Sequence, residues 1–164
     1  MTTQEALAYF DALEPMDLAS MIGRWRGEGI DTGHYMDGTL EATRWYGKVF
    51  ESPDVVHPLV HKDRFGSEFC INPARMPIKF ASLVSVPRVI ISWIFPILRP
   101  ILTTRKPKAR LRMMQFRGKL SATMIYDAKP IHDIFRKIDD QTVLGLMDQR
   151  GDSAPFFFKL TLDT

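Results

Sequence analysis

The sequence predicts a mainly β protein: an antiparallel β-barrel of about eight strands with an N-terminal helix and a helical insert near residues 84–102. Three observations support this fold class. Glycines alternate with larger residues in GRWRGEG at 23–29, alternating apolar stretches follow one another through the C-terminal half, and one strongly apolar stretch precedes them. A chain of 164 residues is long enough for one domain, so we expect residues 1–60 and 61–164 to complete the same barrel.

Composition and charge are those of a globular protein. Apolar residues make up 45% of the chain and charged residues 25%, which excludes a disordered protein. The lone cysteine, Cys70, rules out an internal disulfide, and MTTQEALAYF lacks the pattern of a secretory signal, so we expect a cytoplasmic location. Basic residues recur without an acid from Arg99 to Lys119. This run fits a solvated edge or attraction to anionic lipid; nucleic acid is disfavoured because aromatic residues are not interleaved with the basic ones.

Helical segments are predicted at three places in the first third of the chain. Apolar residues recur on one side of Thr3–Leu13, and Thr3 can cap that helix. EPMDLASMIG at 14–23 continues as a short turn or helix that ends at its glycine. The mixed apolar spacing of GTLEATRWYGKVFES at 38–52 predicts a further helix, interrupted by Gly47.

Strands are predicted for most of the remaining chain. HPLVHKDRF at 57–65 and SEFCIN at 67–72 form two strands around Gly66, and APFFFKLTL at 154–162 forms the last strand. Between them, ARLRMMQFRGKLSATMIY at 109–126 predicts a hairpin that turns at Arg117–Gly118. Pairing Phe116 with Lys119 brings matching apolar residues together, with Leu111 opposite Met124 and Met113 opposite Ala122.

A second hairpin is predicted in PIHDIFRKIDDQTVLGLMD at 130–148, with its turn at Asp140–Gln141. In this register Ile138 faces Val143 and Ile134 faces Met147. The predicted interior face of these strands is rich in methionine, which adapts to variable ligands, although a plain packed core fits the same residues. Its members are Leu111, Met113, Ala122, Met124, Tyr126, Ile134 and Met147.

The GRWRGEG stretch predicts how one end of the barrel is closed. Trp25 can fill that end with its indole, while Gly23, Gly27 and Gly29 allow neighbouring backbones to approach closely. We expect Arg136, from a late strand, to stack over the indole.

The same stretch resembles the GxW signature of the calycins, and it fits the longer GxWxGxG of nitrobindin-type barrels. More of the chain resembles bacterial proteins in which a GXWXG domain is followed by a domain of unknown function; GRWRGEGIDTGH, WYGKVFESPDVVHPLV and residues 109–148 carry this likeness. The resemblance implies a calycin-like barrel. The nitrobindin likeness implies a pocket for haem or for a fatty-acid-like molecule.

Polar residues offer two further kinds of site. An imidazole of His132 facing an apolar interior could ligate haem iron or act as a base. The predicted register places Asp133 opposite Asp148, which requires a compensating arginine such as Arg136, or else forms a carboxylate pair for acid–base chemistry. His57 and His61 would lie roughly 13 Å apart on a strand, too far to share a metal, and no other metal site is predicted.

The most apolar stretch is LVSVPRVIISWIFPILRPIL at 83–102. Its prolines and arginines disfavour a membrane-spanning helix, and it is too apolar to lie free on a surface. It could cap the barrel mouth as a lid, form a homodimer interface, or contact a membrane surface peripherally. We expect a lid: a kinked helix over 88–102, broken near Pro96, with Trp93 and Phe95 packed against the barrel or a partner subunit and with Arg88 and Arg99 reaching solvent or an acid.

Three functions follow from these patterns. The first is a non-enzymatic protein that binds a small apolar or amphipathic ligand, reached beneath the 83–102 segment. The others are a haem protein that uses His132 and a small barrel enzyme that uses Asp133 and Asp148. The predicted ligand-binding residues are Trp25, Met113, Met124, Tyr126, His132, Arg136 and Met147.

Overall fold

The computed structural model describes residues 1–76 and 87–164, and one antiparallel sheet forms its framework. The strands are β1 (Glu14–Pro15), β2 (Gly23–Ile30), β3 (Trp45–Ser52), β4 (Val55–Lys62), β5 (Glu68–Ile71), β6 (Thr103–Thr104), β7 (Ala109–Phe116), β8 (Lys119–Tyr126), β9 (Ile131–Lys137), β10 (Thr142–Gln149) and β11 (Phe156–Leu162). The helices are α1 (Thr3–Ala12), α2 (Leu18–Met21), α3 (Thr39–Ala42) and α4 (Arg88–Leu102), with a 3-10 turn at Pro73–Arg75.

Eight of the strands close into a ring. Their order is β3-β2-β11-β10-β9-β8-β7-β4, and β4 pairs again with β3. The seam between β4 and β7 is short: Val56 pairs with Ala109, and the Leu111 N–H donates to the Pro53 carbonyl at 2.7 Å. The expected mainly β, barrel-like fold of about eight strands with an N-terminal helix is therefore confirmed, and strands from both halves of the chain build the ring.

Apolar side chains pack on both faces of the sheet. The interior is filled by a large cluster that includes Trp25, Met124 and Phe158. On the outer face of the sheet, Ala6 and Phe10 of α1 pack against the outward-facing residues of β9 to β11. The cap of α1 is Thr2 rather than Thr3, since the Thr2 hydroxyl and the Glu5 carboxylate form a reciprocal capping box.

The two predicted hairpins differ in outcome. Phe116 pairs with Lys119, and every predicted pair of the first hairpin is confirmed. In the second, Ile134 pairs with Leu146 and Met147 pairs with Asp133, so the predicted register is wrong by one residue. A loop of five residues separates the Lys137–Val143 pair, instead of the two-residue turn that we expected. A shift of one residue exchanges the two faces of a strand, and Ile134 consequently lies outside, beneath α1.

The predicted helix over 38–52 is also wrong, because only Thr39–Ala42 is helical and Trp45–Ser52 is strand β3. Gly47 belongs to this strand and adopts a φ of 147°. A Cβ atom at Gly47 would lie 1.9 Å from the Trp25 carbonyl oxygen, so a larger residue cannot occupy this close approach of β3 to β2.

The apolar stretch is helical where it is described, and residues 83–86 of the predicted insert lie outside the described residues. Helix α4 continues through Pro96, so the expected break is wrong. Phe95 packs against His61 and Arg99 reaches Asp63 at 3.1 Å, as expected, whereas Trp93 is 75% exposed and does not pack against the ring of strands. Within the described residues, no helix is long and apolar enough to cross a membrane.

Candidate functional site

A buried ion pair lies inside the ring of strands. Lys48 on β3 faces inward because it pairs with Trp25, and Asp133 on β9 faces inward because it pairs with Met124 and Met147. Lys48 Nζ lies 2.7 Å from Asp133 Oδ2, and both side chains are almost fully buried. Burying two charges costs several kcal/mol per ion unless each finds partners, so the remaining polar atoms around this pair define the chemistry of the site.

Two further oxygens and three aromatic rings surround the ammonium group. Lys48 Nζ donates to the Pro58 carbonyl at 3.2 Å and to the Tyr126 hydroxyl at 3.4 Å. The Tyr126 hydroxyl in turn donates to Asp133 Oδ2 at 3.4 Å. The ammonium nitrogen also lies 4.9 Å from the centre of the Phe158 ring, 5.5 Å from that of Trp45 and 5.6 Å from that of Tyr126. Aromatic faces at this distance attract a desolvated cation. We call Lys48, Asp133, Tyr126 and Trp45 the interior polar cluster.

Two atoms of the interior polar cluster lack partners. Neither Asp133 Oδ1 nor Trp45 Nε1 makes a hydrogen bond to any of the described residues. One is an acceptor and the other a donor, and both belong to side chains beside Lys48 Nζ. Buried polar atoms are nearly always paired in native proteins, so these two atoms, on side chains that both approach Lys48 Nζ, are open to a hydrogen-bonding partner such as water or a ligand.

Burial changes the titration of the cluster. Loss of solvent raises the pKa of Asp133 and lowers that of Lys48, while each partner's charge opposes the shift of the other. Desolvation, together with the Asp133 carboxylate, raises the pKa of Tyr126 well above its usual value. The two members of the ion pair are thus brought closer in proton affinity than the same residues in water.

His61 lies between the cluster and α4. It pairs with Trp45 across β3 and β4, and its ring packs against Phe69 and, at 5.0 Å between centres, against Phe95 of α4. Burial, with a smaller contribution from the charge of Lys48, lowers the pKa of His61 from 6.5 to about 4. The structure thus places a neutral imidazole beneath the helix.

We expect acid to destabilise the protein through His61. Because the folded-state pKa is depressed, the stabilising contribution is present above pH 6.5 and is lost as pH falls towards 4. Full loss amounts to about 3 kcal/mol, from 1.36 kcal/mol per pKa unit. Urea unfolding from pH 7 to pH 4 measures the decline, with His61→Phe as the comparison because it keeps an aromatic ring in place. An equal decline in both proteins would show that other groups cause it.

The predicted ligand-binding residues do not all share one face. Trp25, Met124, Tyr126 and Met147 are buried in the interior cluster. Met113 is more exposed and lies outside that cluster, although it pairs with Ala122 as predicted. The expected inward orientation of His132 is wrong: it pairs with Ile125 and Asp148 on the outer face and is only half-buried.

Arg136 is also on the outer face. The expected stacking on Trp25 is wrong, since the guanidinium lies 4.7 Å from the Phe10 ring of α1 and donates to the Phe116 carbonyl at 2.9 Å. The indole of Trp25 instead donates to the Met21 carbonyl at 2.9 Å. Arg136 therefore fastens α1 to the sheet rather than closing the interior.

The expected pairing of Asp133 with Asp148 is wrong because it depended on the predicted register of the second hairpin, which differs from the observed register by one residue. Asp133 points inward to Lys48, whereas Asp148 pairs with His132 and is exposed. His57 contacts Glu51 at 3.3 Å and His61 lies apart beneath α4. Across residues 1–76 and 87–164, no group of three or more potential metal ligands occurs.

Sequence reasoning missed Lys48, Trp45 and the buried role of His61. The available signal was a single lysine inside the apolar run WYGKVF, which on a strand shares a face with Phe50. A separate cleft of about 500 Å³ lies between the end of β2, α3 and the start of α4, and its lining includes Glu41 and Arg88 but no member of the cluster.

Comparison with known proteins agrees with the architecture. Residues 8–66 match the family model described as GXWXG protein, and residues 107–161 match the domain of unknown function DUF4334. No curated protein matches the chain. A crystal structure of a protein from Thermomonospora curvata is 30% identical, with a TM-score of 0.73, over 98% of this chain and 87% of that one.

Proposed function

We propose that this chain, which belongs to the family of proteins that join a GXWXG domain to DUF4334, binds a small amphipathic molecule inside its ring of strands. The observation that carries the proposal is the unpaired acceptor of Asp133 and the unpaired donor of Trp45, on two side chains that both approach Lys48 within an otherwise apolar interior. Such a site is typical of ligand pockets, which are largely apolar with a few polar groups that fix orientation.

The cluster selects the polar group of the ligand. Asp133 Oδ1 requires a donor and Trp45 Nε1 requires an acceptor, so a hydroxyl or a protonated carboxylic acid satisfies both. A permanent cation such as a quaternary ammonium provides no hydrogen bond and would meet the charge of Lys48. Fatty alcohols and fatty acids are therefore the favoured chemical class.

The apolar part of the ligand is expected among the methionines of the interior. Met124 and Met147 flank Asp133 across β8 and β10. These side chains fill the interior, and accommodating a ligand requires them to move apart, which the unbranched methionine side chain permits. We expect the ligand to enter beneath α4, where Phe95 of the helix packs over His61.

Calorimetric titration with 1-decanol and with decyl methyl ether tests the proposal. The two molecules share an apolar chain, but the ether has no donor for Asp133. We expect the ether to bind about tenfold more weakly, because an unpaired buried acceptor costs about 1–3 kcal/mol. Native mass spectrometry of protein purified from its host should also detect a bound molecule of this class.

Two variants distinguish recognition of the ligand's polar head group from non-specific apolar binding. In Lys48→Met/Asp133→Leu the polar pair becomes apolar, and we expect the alcohol and the ether to bind equally well. Lys159→Met removes a lysine whose ion pair with Glu28 is on the exposed side of the sheet, and it should keep the preference for the alcohol. Failure of both probes to bind, or an unchanged preference in the double variant, would contradict the proposal.

A further inference from the structure

Helix α4 presents a broad apolar surface to solvent. Residues four apart lie on one side of a helix, and two adjacent rows of exposed apolar residues run along α4. The first row is Val89, Trp93, Ile97 and Ile101, and the second is Ile90, Ile94 and Leu98; we call these seven residues the α4 apolar face. Trp93 and Ile97 are each 75% exposed. An exposed apolar surface of this extent marks an interaction site.

The helix is held to the protein by its other side. Leu102 and Phe95 pack with Phe69, Ile71 and Leu59. Arg99 lies 3.1 Å from Asp63, with its guanidinium 4.2 Å from the centre of the Phe69 ring. These contacts fix the orientation of α4, so the α4 apolar face points away from the ring of strands.

Exposed basic residues lie near both ends of this face. Between Glu68 and Asp127 the sequence has eleven lysine or arginine residues and no acid. Arg88 begins α4, while Arg105 and Lys106 come after strand β6, which follows the helix, and all three are exposed. Arg75, also exposed, donates to the Ile101 carbonyl at the C-terminal end of the helix. The apolar surface therefore has Arg88 at its N-terminal end, where Asp31 and Glu41 line the same cleft, and an excess of cations at its C-terminal end.

We propose that the α4 apolar face docks onto an anionic lipid surface, with the helix lying in the plane of the interface. An apolar helix face with a tryptophan and flanking basic residues is the pattern of interfacial helices, whose binding combines apolar burial with attraction to anionic lipid. A second copy of the chain fits less well, because it would bring the same positive charges to the same place. The proposal is independent of what the interior of the ring binds.

Vesicles provide the test. Trp25 and Trp45 are buried, so Trp93 is the tryptophan whose emission should respond to lipid. With vesicles of phosphatidylglycerol and phosphatidylcholine at low salt, we expect a blue shift and co-sedimentation of the protein. High salt should weaken binding, and vesicles of phosphatidylcholine alone should bind much less.

Two surface variants locate the contact. Trp93→Ser/Ile97→Ser should reduce co-sedimentation by about tenfold or more, because two large apolar side chains no longer enter the interface. Leu120→Ser, on β8 and 57% exposed, removes a comparable side chain away from α4 and should leave binding unchanged. Circular dichroism confirms that each variant is folded. Absence of vesicle binding, equal binding to neutral vesicles, or a lipid-free dimer that Trp93→Ser/Ile97→Ser converts to monomer would each overturn the proposal.

Discussion

Replacing Lys48 with methionine is expected to lower the free energy of unfolding by about 3–5 kcal/mol, the cost of breaking a buried ion pair. The substitution keeps a long apolar side chain but leaves the Asp133 carboxylate in the interior without its cation, 2.7 Å from where the ammonium lay. Urea unfolding at neutral pH measures this loss.

The stability lost in Lys48→Met should depend on pH in a defined direction. Without Lys48, the pKa of Asp133 rises further, because Lys48 is the largest influence that holds it down. A raised folded-state pKa means that the folded protein favours the protonated acid, so the contribution of Asp133 to stability is largest at low pH and is lost as pH rises through the folded-state pKa. The difference in the free energy of unfolding between Lys48→Met and the wild type should accordingly become smaller as the pH is lowered.

The double variant Lys48→Met/Asp133→Leu is the matched control. An apolar pair of similar volume is often as stable as a buried ion pair, so most of the lost stability should return. A deficit below about 1 kcal/mol in the single variant, or one that persists in the double variant, would show that the ion pair does not explain the stability of the interior.

The two hairpins show which parts of the fold can be predicted from local sequence. Arg117 and Gly118 both adopt positive φ, as a two-residue hairpin turn requires, and glycine at the second position makes that turn recognisable. The Asp139 carboxylate instead accepts from the Gln141 N–H within a longer loop. Asp, Asp and Gln suit several loop lengths, and the resulting error of one residue moved Ile134 to the wrong face.

The candidate site could be predicted only in part. Met124, Tyr126 and Met147 lie on the alternating strands whose inward face the sequence indicated. Lys48 was missed because Gly47 interrupts the local pattern of strand β3. Position 47 requires glycine because the Trp25 backbone of the neighbouring strand lies against it, and this contact is not visible in the local sequence. Lysine is almost never fully buried unless paired, and the pairing with Asp133 joins residues far apart in the chain.

The prediction that Trp93 packs against the barrel is wrong for a different reason. A strongly apolar helix surface has to be covered, but its sequence does not say whether the same chain or a partner covers it. In α4 the inward side is occupied by Phe95 and Leu102, which leaves two apolar rows facing outward. Apolar periodicity identifies the faces of a helix but does not identify the partner that covers each of them.

The second large expected effect concerns Trp25, the tryptophan of GRWRGEG. Trp25 is fully buried in one cluster with Met16 and Met21 of the segment between α1 and β2, and its indole N–H donates to the Met21 carbonyl at 2.9 Å. Trp25→Ala removes the ring and leaves that carbonyl without its donor. We expect the free energy of unfolding to fall by about 3–5 kcal/mol, as is typical when a large core aromatic is truncated.

The same substitution at an exposed tryptophan is the control for this measurement. Trp93→Ala removes an identical side chain that is 75% exposed, and it should change stability by no more than about 0.5 kcal/mol. Urea unfolding of both variants gives the comparison directly. A loss below about 1 kcal/mol for Trp25→Ala would mean that the neighbouring residues close that end of the ring without the indole. A loss of the expected size, absent in Trp93→Ala, would show that the buried indole of Trp25 stabilises the interior of the ring.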